Sequence, residues 1–168
     1  MNPETEVRVR AGTPGDEDGI LELAKIITQE NGVFAMSDSK IRALIRPSLN
    51  LDGGIVGIIG KRNALEGLAI LRVSTYWYSE TPFLEEMLIY VHPDYRSAKG
   101  GRARKLVEFA KHTSHQLELP LMIGVLNNAR TDAKIKLYER QFGKPAGAFF
   151  LYGAHTGSHM NHEIVTEE

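Results

Sequence analysis

Residues 83–117 constrain the fold most, because an apolar strand, a glycine turn and an amphipathic helix follow one another there. Residues 83–91 are rich in apolar and aromatic side chains. Beyond the turn, apolar residues recur at helical spacing, at Ala103, Leu106, Val107, Ala110 and Leu117. This order predicts an α/β fold and places the turn at the N-terminus of a helix.

The turn at residues 96–101 has the composition of an anion-binding loop. The first N–H groups of a helix have no intrahelical acceptor and lie at the positive end of its dipole, so they bind phosphate well. Gly100 and Gly101 let the backbone approach a ligand closely. Residues 96–105 also hold five cations and no acid: Arg96, Lys99, Arg102, Arg104 and Lys105. This composition favours a multiply charged anion over a neutral ligand.

These residues resemble motif A of the GCN5-related N-acetyltransferases (the GNAT family). In that family a strand ending in Val-His-Pro-x-Tyr-Arg is followed by Arg/Gln-x-x-Gly-x-Gly/Ala and a helix. Here the loop reads Arg-Ser-Ala-Lys-Gly-Gly over residues 96–101, so Lys99 stands at the first glycine position. A lysine there carries a cost for positive φ, although its charge can help to bind phosphate. Without the resemblance, the segment reads as an ordinary strand, turn and basic helix face.

The resemblance implies a site for acetyl-coenzyme A. The loop amides would hold its pyrophosphate, and a backbone N–H near the end of the preceding strand would polarise the thioester carbonyl. The positions that carry this expectation are Ile89, Tyr90, Val91, Arg96, Ser97, Ala98, Lys99, Gly100, Gly101 and Arg102.

Composition limits the class of protein. A chain of 168 residues with 42% hydrophobic content suits one domain, which we expect over residues 1–153, with a flexible tail over 154–168. There is no cysteine, no apolar signal region and no run long enough to span a bilayer, so we expect a cytoplasmic protein. A net charge of −1 argues against broad nucleic-acid binding. Three histidines and Glu163 in the tail could bind a metal only if a helix formed there, and we expect a solvated tail and no metal.

The periodicity predicts ten elements in the order β-α-α-β-β-β-α-β-α-β, a mixed central sheet flanked by helices. The predicted strands are 7–10, 54–59, 65–73, 83–91, 121–126 and 149–152, with helices from Thr13 to Asn31, from Ser37 or Ser39 to Pro47, from the 100–101 turn onward, and from Thr131 to about Phe142. Thr13 and Asp16 form a capping-box pattern at the first helix. This order is that of the GNAT family, so the resemblance covers roughly residues 7–153.

Three side chains are candidates for proton transfer. Leu-Tyr-Glu-Arg at residues 137–140 resembles motif B of the family, which implies that Tyr138 is the general acid; otherwise Tyr138 is a tyrosine of the core. Glu85 and Glu86 interrupt an apolar strand, where burial would raise the pKa of a carboxyl towards that of a useful base. Only one of the two can face a given cleft, because successive strand residues point to opposite sides. They are otherwise strand-end acids in solvent, with water or no group as the base.

The acceptor is not readable from the sequence. Tyr76, Trp77 and Tyr78 either line an acceptor pocket or cover the end of the sheet. The leading hypothesis is an acetyl-coenzyme A-dependent N-acetyltransferase acting on a small-molecule or protein amine. The alternatives are a coenzyme A-binding module without turnover and a related enzyme that modifies nucleobases. The sequence leaves open whether the chain forms a homodimer.

Overall fold

The computed structural model describes residues 6–96, 99–126 and 131–153. Its helices and strands are β1 (Arg10–Ala11), α1 (Glu17–Asn31), α2 (Asp38–Leu49), β2 (Gly54–Lys61), β3 (Ala64–Thr75), β4 (Pro82–Val91), α3 (Arg102–Leu117), β5 (Leu121–Met122) and α4 (Thr131–Phe142). The predicted α/β class, a mixed sheet flanked by helices, is confirmed. Among the described residues, no helix is long and apolar enough to cross a membrane.

The sheet has five strands in the order β1-β2-β3-β4-β5. The first three pairs are antiparallel, and β5 lies parallel to β4. The predicted hairpin between the second and third strands is present. β5 is shorter than the predicted strand 121–126, because only Leu121 and Met122 pair with β4.

α2 and α3 pack on opposite faces of the sheet. Ser48 of α2 lies against Gly54, whereas Phe109 of α3 lies against Gly57, three residues further along β2. Successive strand residues face opposite sides, so residues 54 and 57 mark the two faces. Leu106, Val107 and Ala110 of α3 are fully buried, as their helical spacing predicted.

A buried carboxylate links β1 to the start of α1. Asp16 lies in a short 3-10 turn before α1 and accepts the backbone N–H of Thr13 at 2.9 Å, which confirms the predicted capping pattern. Two nitrogens of the Arg10 guanidinium donate to the same carboxylate, at 2.9 and 2.8 Å. The bond from Arg10 lowers the pKa of Asp16 from its ordinary value to about 2. α1 then ends at Asn31, as predicted.

Besides the length of β5, two predicted element ends and one predicted strand were wrong. The first strand contains only Arg10 and Ala11 rather than residues 7–10. Pro47 does not end α2, because Ser48 and Leu49 beyond it are buried and their packing outweighs the hydrogen bond that proline cannot make. Residues 149–152 form no strand; their side chains are 42–101% exposed, so this apolar run lacks the packed surface on which strand preference depends.

The chain divides into two compact units. The first comprises Met1–Leu23 and Asp38–Gly124 and holds the sheet with α2 and α3. The second comprises Ala24–Ser37 and Val125–Glu168 and holds α4. The single domain over 1–153 stays a prediction, and the expected tail at 154–168 lies outside the described residues.

Candidate functional site

α3 begins at a glycine cap with exposed cations around it. Gly101 caps the helix in the left-handed conformation, with φ 58° and ψ 46°, and Gly100 has φ 111°. The first helical bond runs from the Lys105 N–H to the Gly101 carbonyl, so residues 102–104 have N–H groups without an intrahelical acceptor. Lys99 and Arg104 are exposed beside them. The turn therefore has the donors and the charge that an anion requires.

Gly100 is also required by the space around it. A Cβ at this position would lie 2.6 Å from Cγ2 of Val7, so the N-terminal segment packs directly against the loop. Ser97 and Ala98, which the resemblance assigns to the coenzyme, lie outside the described residues.

Arg102 holds the loop from its inner side. Its Nε lies 2.6 Å from Oε2 of Glu66, and its side chain is only 10% exposed. Another nitrogen of the guanidinium donates to the Lys99 carbonyl at 2.9 Å, and the group stacks over the ring of Tyr95 at 4.9 Å. These contacts turn the Lys99 carbonyl towards α3 and fix the loop relative to β3.

Arg96 and His92 shape the turn that leaves β4. The Arg96 Nε donates to the Val91 carbonyl at 3.1 Å, and its guanidinium lies 5.0 Å from the centre of the Tyr90 ring. His92 accepts the Asp94 backbone N–H at 3.2 Å through Nδ1. These two local hydrogen bonds stabilise the turn of the chain directly after β4.

β4 carries a bulge near its centre. Ile70 of β3 faces Leu88, but Leu71 faces Glu86, so Met87 has no residue opposite it in β3. A bulge leaves its extra residue out of the ladder and bends the strand. Residues 89–91, where the resemblance expected the carbonyl-polarising N–H, are each opposite a residue of β3.

β4 and β5 pair over only a short length. β5 lies opposite Leu84 and Glu85. Among the described residues, no strand pairs with this edge of β4 beyond Glu85. The edge from the bulge to Val91 thus leads, without a neighbouring strand, to the cation-rich turn.

Glu85 and Glu86 face opposite sides of the sheet, as predicted. Glu85 is directly across from Arg72, and the Arg72 Nε lies 2.8 Å from its Oε2. This ion pair, which was not predicted from the sequence, engages the Glu85 carboxylate. Glu86 accepts the Gly124 N–H through Oε2 at 3.3 Å.

Tyr138 lies on α4, in the second compact unit. Its side chain is 7% exposed, its ring packs edge-to-face against Phe142 at 5.9 Å, and Nζ of Lys134 lies 5.7 Å from the ring centre. Tyr138 thus has the packing of a core residue, which is compatible with either role considered for it.

The aromatic segment between β3 and β4 is exposed. Trp77 is 90% exposed, Tyr78 71% and Tyr76 46%, so these rings do not cover the end of the sheet. Within the part of the chain that the structure describes, no three His, Asp or Glu side chains are grouped to hold a metal ion.

The chain is similar to known acetyltransferases in structure, whereas comparisons of its sequence give no match. No family model and no curated protein sequence matches the chain. The aminoglycoside acetyltransferase AAC(6')-Iy, solved with a bisubstrate analogue, is 14% identical with a TM-score of 0.67, and the match covers 88% of this chain and 97% of that one. A ribosomal-protein-alanine N-acetyltransferase from Brucella melitensis is 16% identical with a TM-score of 0.62, over 88% and 97% of the two chains.

A third match is an aminoglycoside acetyltransferase from an uncultured soil metagenomic sample. It is 15% identical with a TM-score of 0.60, over 89% of this chain and 94% of that one. The chain therefore has the fold of the GNAT acetyltransferases, which confirms the predicted fold class but not the predicted order of elements.

Proposed function

We propose that this protein is a divergent GNAT enzyme that transfers the acetyl group of acetyl-coenzyme A to an amine. One observation carries the proposal: among the described residues β4 has no parallel neighbour beyond Glu85, and the chain leads from its end at Val91 to a glycine-capped helix N-terminus with cations around it. A strand edge that leads to an anion-binding turn suits a ligand with an extended polar arm and phosphate groups at one end.

The residues of the turn fit a pyrophosphate. The N–H groups of residues 102–104 would donate to its oxygens, and Lys99 and Arg104 would balance its charge. Arg96 and Arg102 contribute mainly by shaping the loop, because their guanidinium groups already bind the Val91 carbonyl and Glu66. Ile89, Tyr90, Val91, Gly100 and Gly101 would line the same path with backbone atoms.

Bound acetyl-coenzyme A would supply an acetyl group activated as a thioester. The bulge at Met87 is the proposed source of a backbone N–H for the carbonyl oxygen, because ladder bonding is interrupted there. Tyr138 is proposed to give its hydroxyl proton to the departing sulfur. Glu85, Glu86 or water takes the proton of the attacking amine.

The acceptor class is proposed from the structural neighbours. These include enzymes named for aminoglycosides and for the alanine of a ribosomal protein. We therefore propose a small-molecule or protein amine as acceptor, with no metal in the reaction.

The proposal is tested by thiol release from acetyl-coenzyme A in the presence of a panel of amines. The expected result is release that depends on one class of amine, with the acetylated amine identified by mass spectrometry. Tight binding of coenzyme A without turnover on any amine would instead support the coenzyme-binding module. Neither binding nor thiol release would contradict both.

A further inference from the structure

The turn before α3 contains two consecutive glycines, which on their own hold no single conformation. Gly100 has φ 111° and Gly101 has φ 58°. Glycine populates positive and negative φ about equally, so such a pair is ordered only where neighbouring groups restrain it. An ordered loop binds a ligand more tightly than a mobile one, because less conformational freedom is lost on binding. The groups that restrain these glycines therefore affect any ligand that binds at the turn.

Val7 restrains Gly100 from a distant part of the sequence. A Cβ on Gly100 would lie 2.6 Å from Cγ2 and 3.3 Å from Cβ of Val7, and 3.7 Å from a guanidinium nitrogen of Arg102. The Cα of Gly100 thus lies against the side chain of this half-buried valine. The same guanidinium nitrogen of Arg102 donates to the Lys99 carbonyl, so successive residues of the turn are restrained by two different parts of the chain.

The segment that carries this valine is itself held in place. Three residues further on, Arg10 begins β1 and donates to the buried carboxylate of Asp16. On the other side, the Glu6 carboxylate accepts two hydrogen bonds from Arg8. These bonds, together with the nearby charge of Lys105 in the first turn of α3, lower the pKa of Glu6. Residues 6–8 therefore lie beside the start of α3, and β1 fixes their position.

We propose that Val7 is a positioning residue of the donor site: it holds Gly100 in the conformation in which the turn binds the pyrophosphate of acetyl-coenzyme A. The inference rests on the proposed function. It adds the segment 6–8 to a site that the sequence alone placed within residues 89–102. Val7 acts through Gly100 rather than by touching the donor, so its loss should affect the phosphate end of the donor and leave the thioester end unchanged.

Coenzyme A and pantetheine separate this role from a merely structural one, because pantetheine has the same thiol arm without the phosphates. Val7→Ala is expected to raise the Kd for coenzyme A about three- to tenfold in calorimetry and to leave the Kd for pantetheine unchanged. Val7→Ile keeps a branched side chain against Gly100 and should retain most of the affinity. Val73→Ala, at a valine of β3 that is 40% exposed, is the control and should change neither Kd.

Turnover provides a second readout once an amine has been found. Val7→Ala should raise the KM for acetyl-coenzyme A without lowering kcat, whereas the KM for S-acetylpantetheine should not change. Urea unfolding checks that each variant is folded.

Two results would overturn the inference. One is equal affinity of folded Val7→Ala and the unmodified protein for coenzyme A; the other is a loss of affinity by the same factor for coenzyme A and pantetheine. An equal loss in Val7→Ile and Val7→Ala would also contradict it. If the unmodified protein binds coenzyme A and Val7→Ala has no effect, only this inference fails; if the unmodified protein does not bind coenzyme A, the proposed function fails as well.

Discussion

Arg102 fixes the start of α3 from inside the fold. Its guanidinium is almost fully buried and is shared between the Glu66 carboxylate and the Lys99 carbonyl. The loop lacks the first glycine of the family pattern, and Arg102 supports it from its inner side through the Lys99 carbonyl. A residue counted among the cations of the site thus acts through the shape of the loop.

Glu66→Gln tests this support. The change keeps one hydrogen bond to Arg102 but removes the charge, so we expect the free energy of unfolding to fall by about 1–3 kcal/mol and coenzyme A to bind more weakly. Urea unfolding and calorimetry measure the two effects. The control is Glu108→Gln, whose partner Arg104 is 3.5 Å away in an exposed pair, and which should change stability by less than about 1 kcal/mol. Equal coenzyme affinity in the two variants would contradict the role of Arg102.

Tyr138→Phe tests the proposed general acid. The ring and its contact with Phe142 remain, so stability and the Kd for coenzyme A should change little. General acid catalysis contributes about 10²–10⁴-fold, and turnover should fall within that range. Tyr152→Phe, at a fully exposed ring, serves as the control in the same thiol-release assay. Full activity in Tyr138→Phe would leave this residue with a packing role only.

At the scale of elements, the carboxylate of Asp16 joins β1 to the turn before α1. Because its pKa is lowered to about 2 in the folded protein, it contributes stability above its ordinary pKa near 4, and this contribution is lost as the pH falls from about 4 through 2. The expected loss is about 2 kcal/mol.

Unfolding measured from pH 6 to pH 2 checks the link. Asp16→Asn should lower the free energy of unfolding at pH 6 and make it fall less steeply between pH 4 and pH 2. Part of this fall should remain, because Arg46 and Arg42 also lower the pKa of Glu17 to about 2. Asp52→Asn, at an exposed carboxylate, is the control. If the free energy of unfolding of Asp16→Asn falls between pH 4 and pH 2 as steeply as that of the unmodified protein, Asp16 does not have this stabilising role.

The packing of α3 on the sheet depends on the absence of a side chain at Gly57. A Cβ there would lie 2.6 Å from the ring of Phe109. Gly57→Val should therefore lower the free energy of unfolding by about 1–3 kcal/mol through overpacking. Gly147→Val is the control, because no atom lies within 4 Å of a Cβ at that position. Equal stability of both variants by urea unfolding would contradict the close approach of α3.

Periodicity predicted most elements but not all of their ends. α4 has the predicted bounds, and the spacing of Leu106 and Ala110 placed the buried face of α3 correctly. The end of α2 was predicted wrongly at Pro47, because the helix continues to Leu49, whose burial depends on tertiary packing and cannot be predicted from local sequence. The strand predicted at 149–152 is absent although its residues favour strands, because strand formation also requires pairing and burial, which are properties of the folded chain.

At the scale of the molecule, the sequence indicated a glycine turn with cations at the start of α3, because these residues are contiguous, and the binding of an anion there stays a prediction. The prediction from sequence missed Arg72 and the bulge at Met87, since both are defined by the register between β3 and β4, and it missed Glu66 as well. Glu66 meets Arg102 across 36 positions, and nothing in local spacing indicates such a pair. The assignment of Tyr138, Glu85 and Glu86 to catalysis stays a prediction.

The path from the bulge of β4 to the turn before α3 organises the proposed function. The donor's phosphates would bind at the cation-rich turn, and the reacting groups would meet near the bulge at Met87. The anion-binding turn is the central part of this account, because the donor must bind there before any acceptor reacts.

Calorimetric titration of coenzyme A into the protein and two variants of Gly101 tests that turn most directly. Gly101→Glu and Gly101→Gln impose the same strain, because both place a side chain at φ 58°, and they are nearly equal in size. Only the glutamate brings a negative charge to the phosphate position. We predict that the unmodified protein binds coenzyme A, that Gly101→Gln binds more weakly, and that Gly101→Glu shows no measurable binding. Equal affinity of the two folded variants, or no binding to the unmodified protein, would contradict the account.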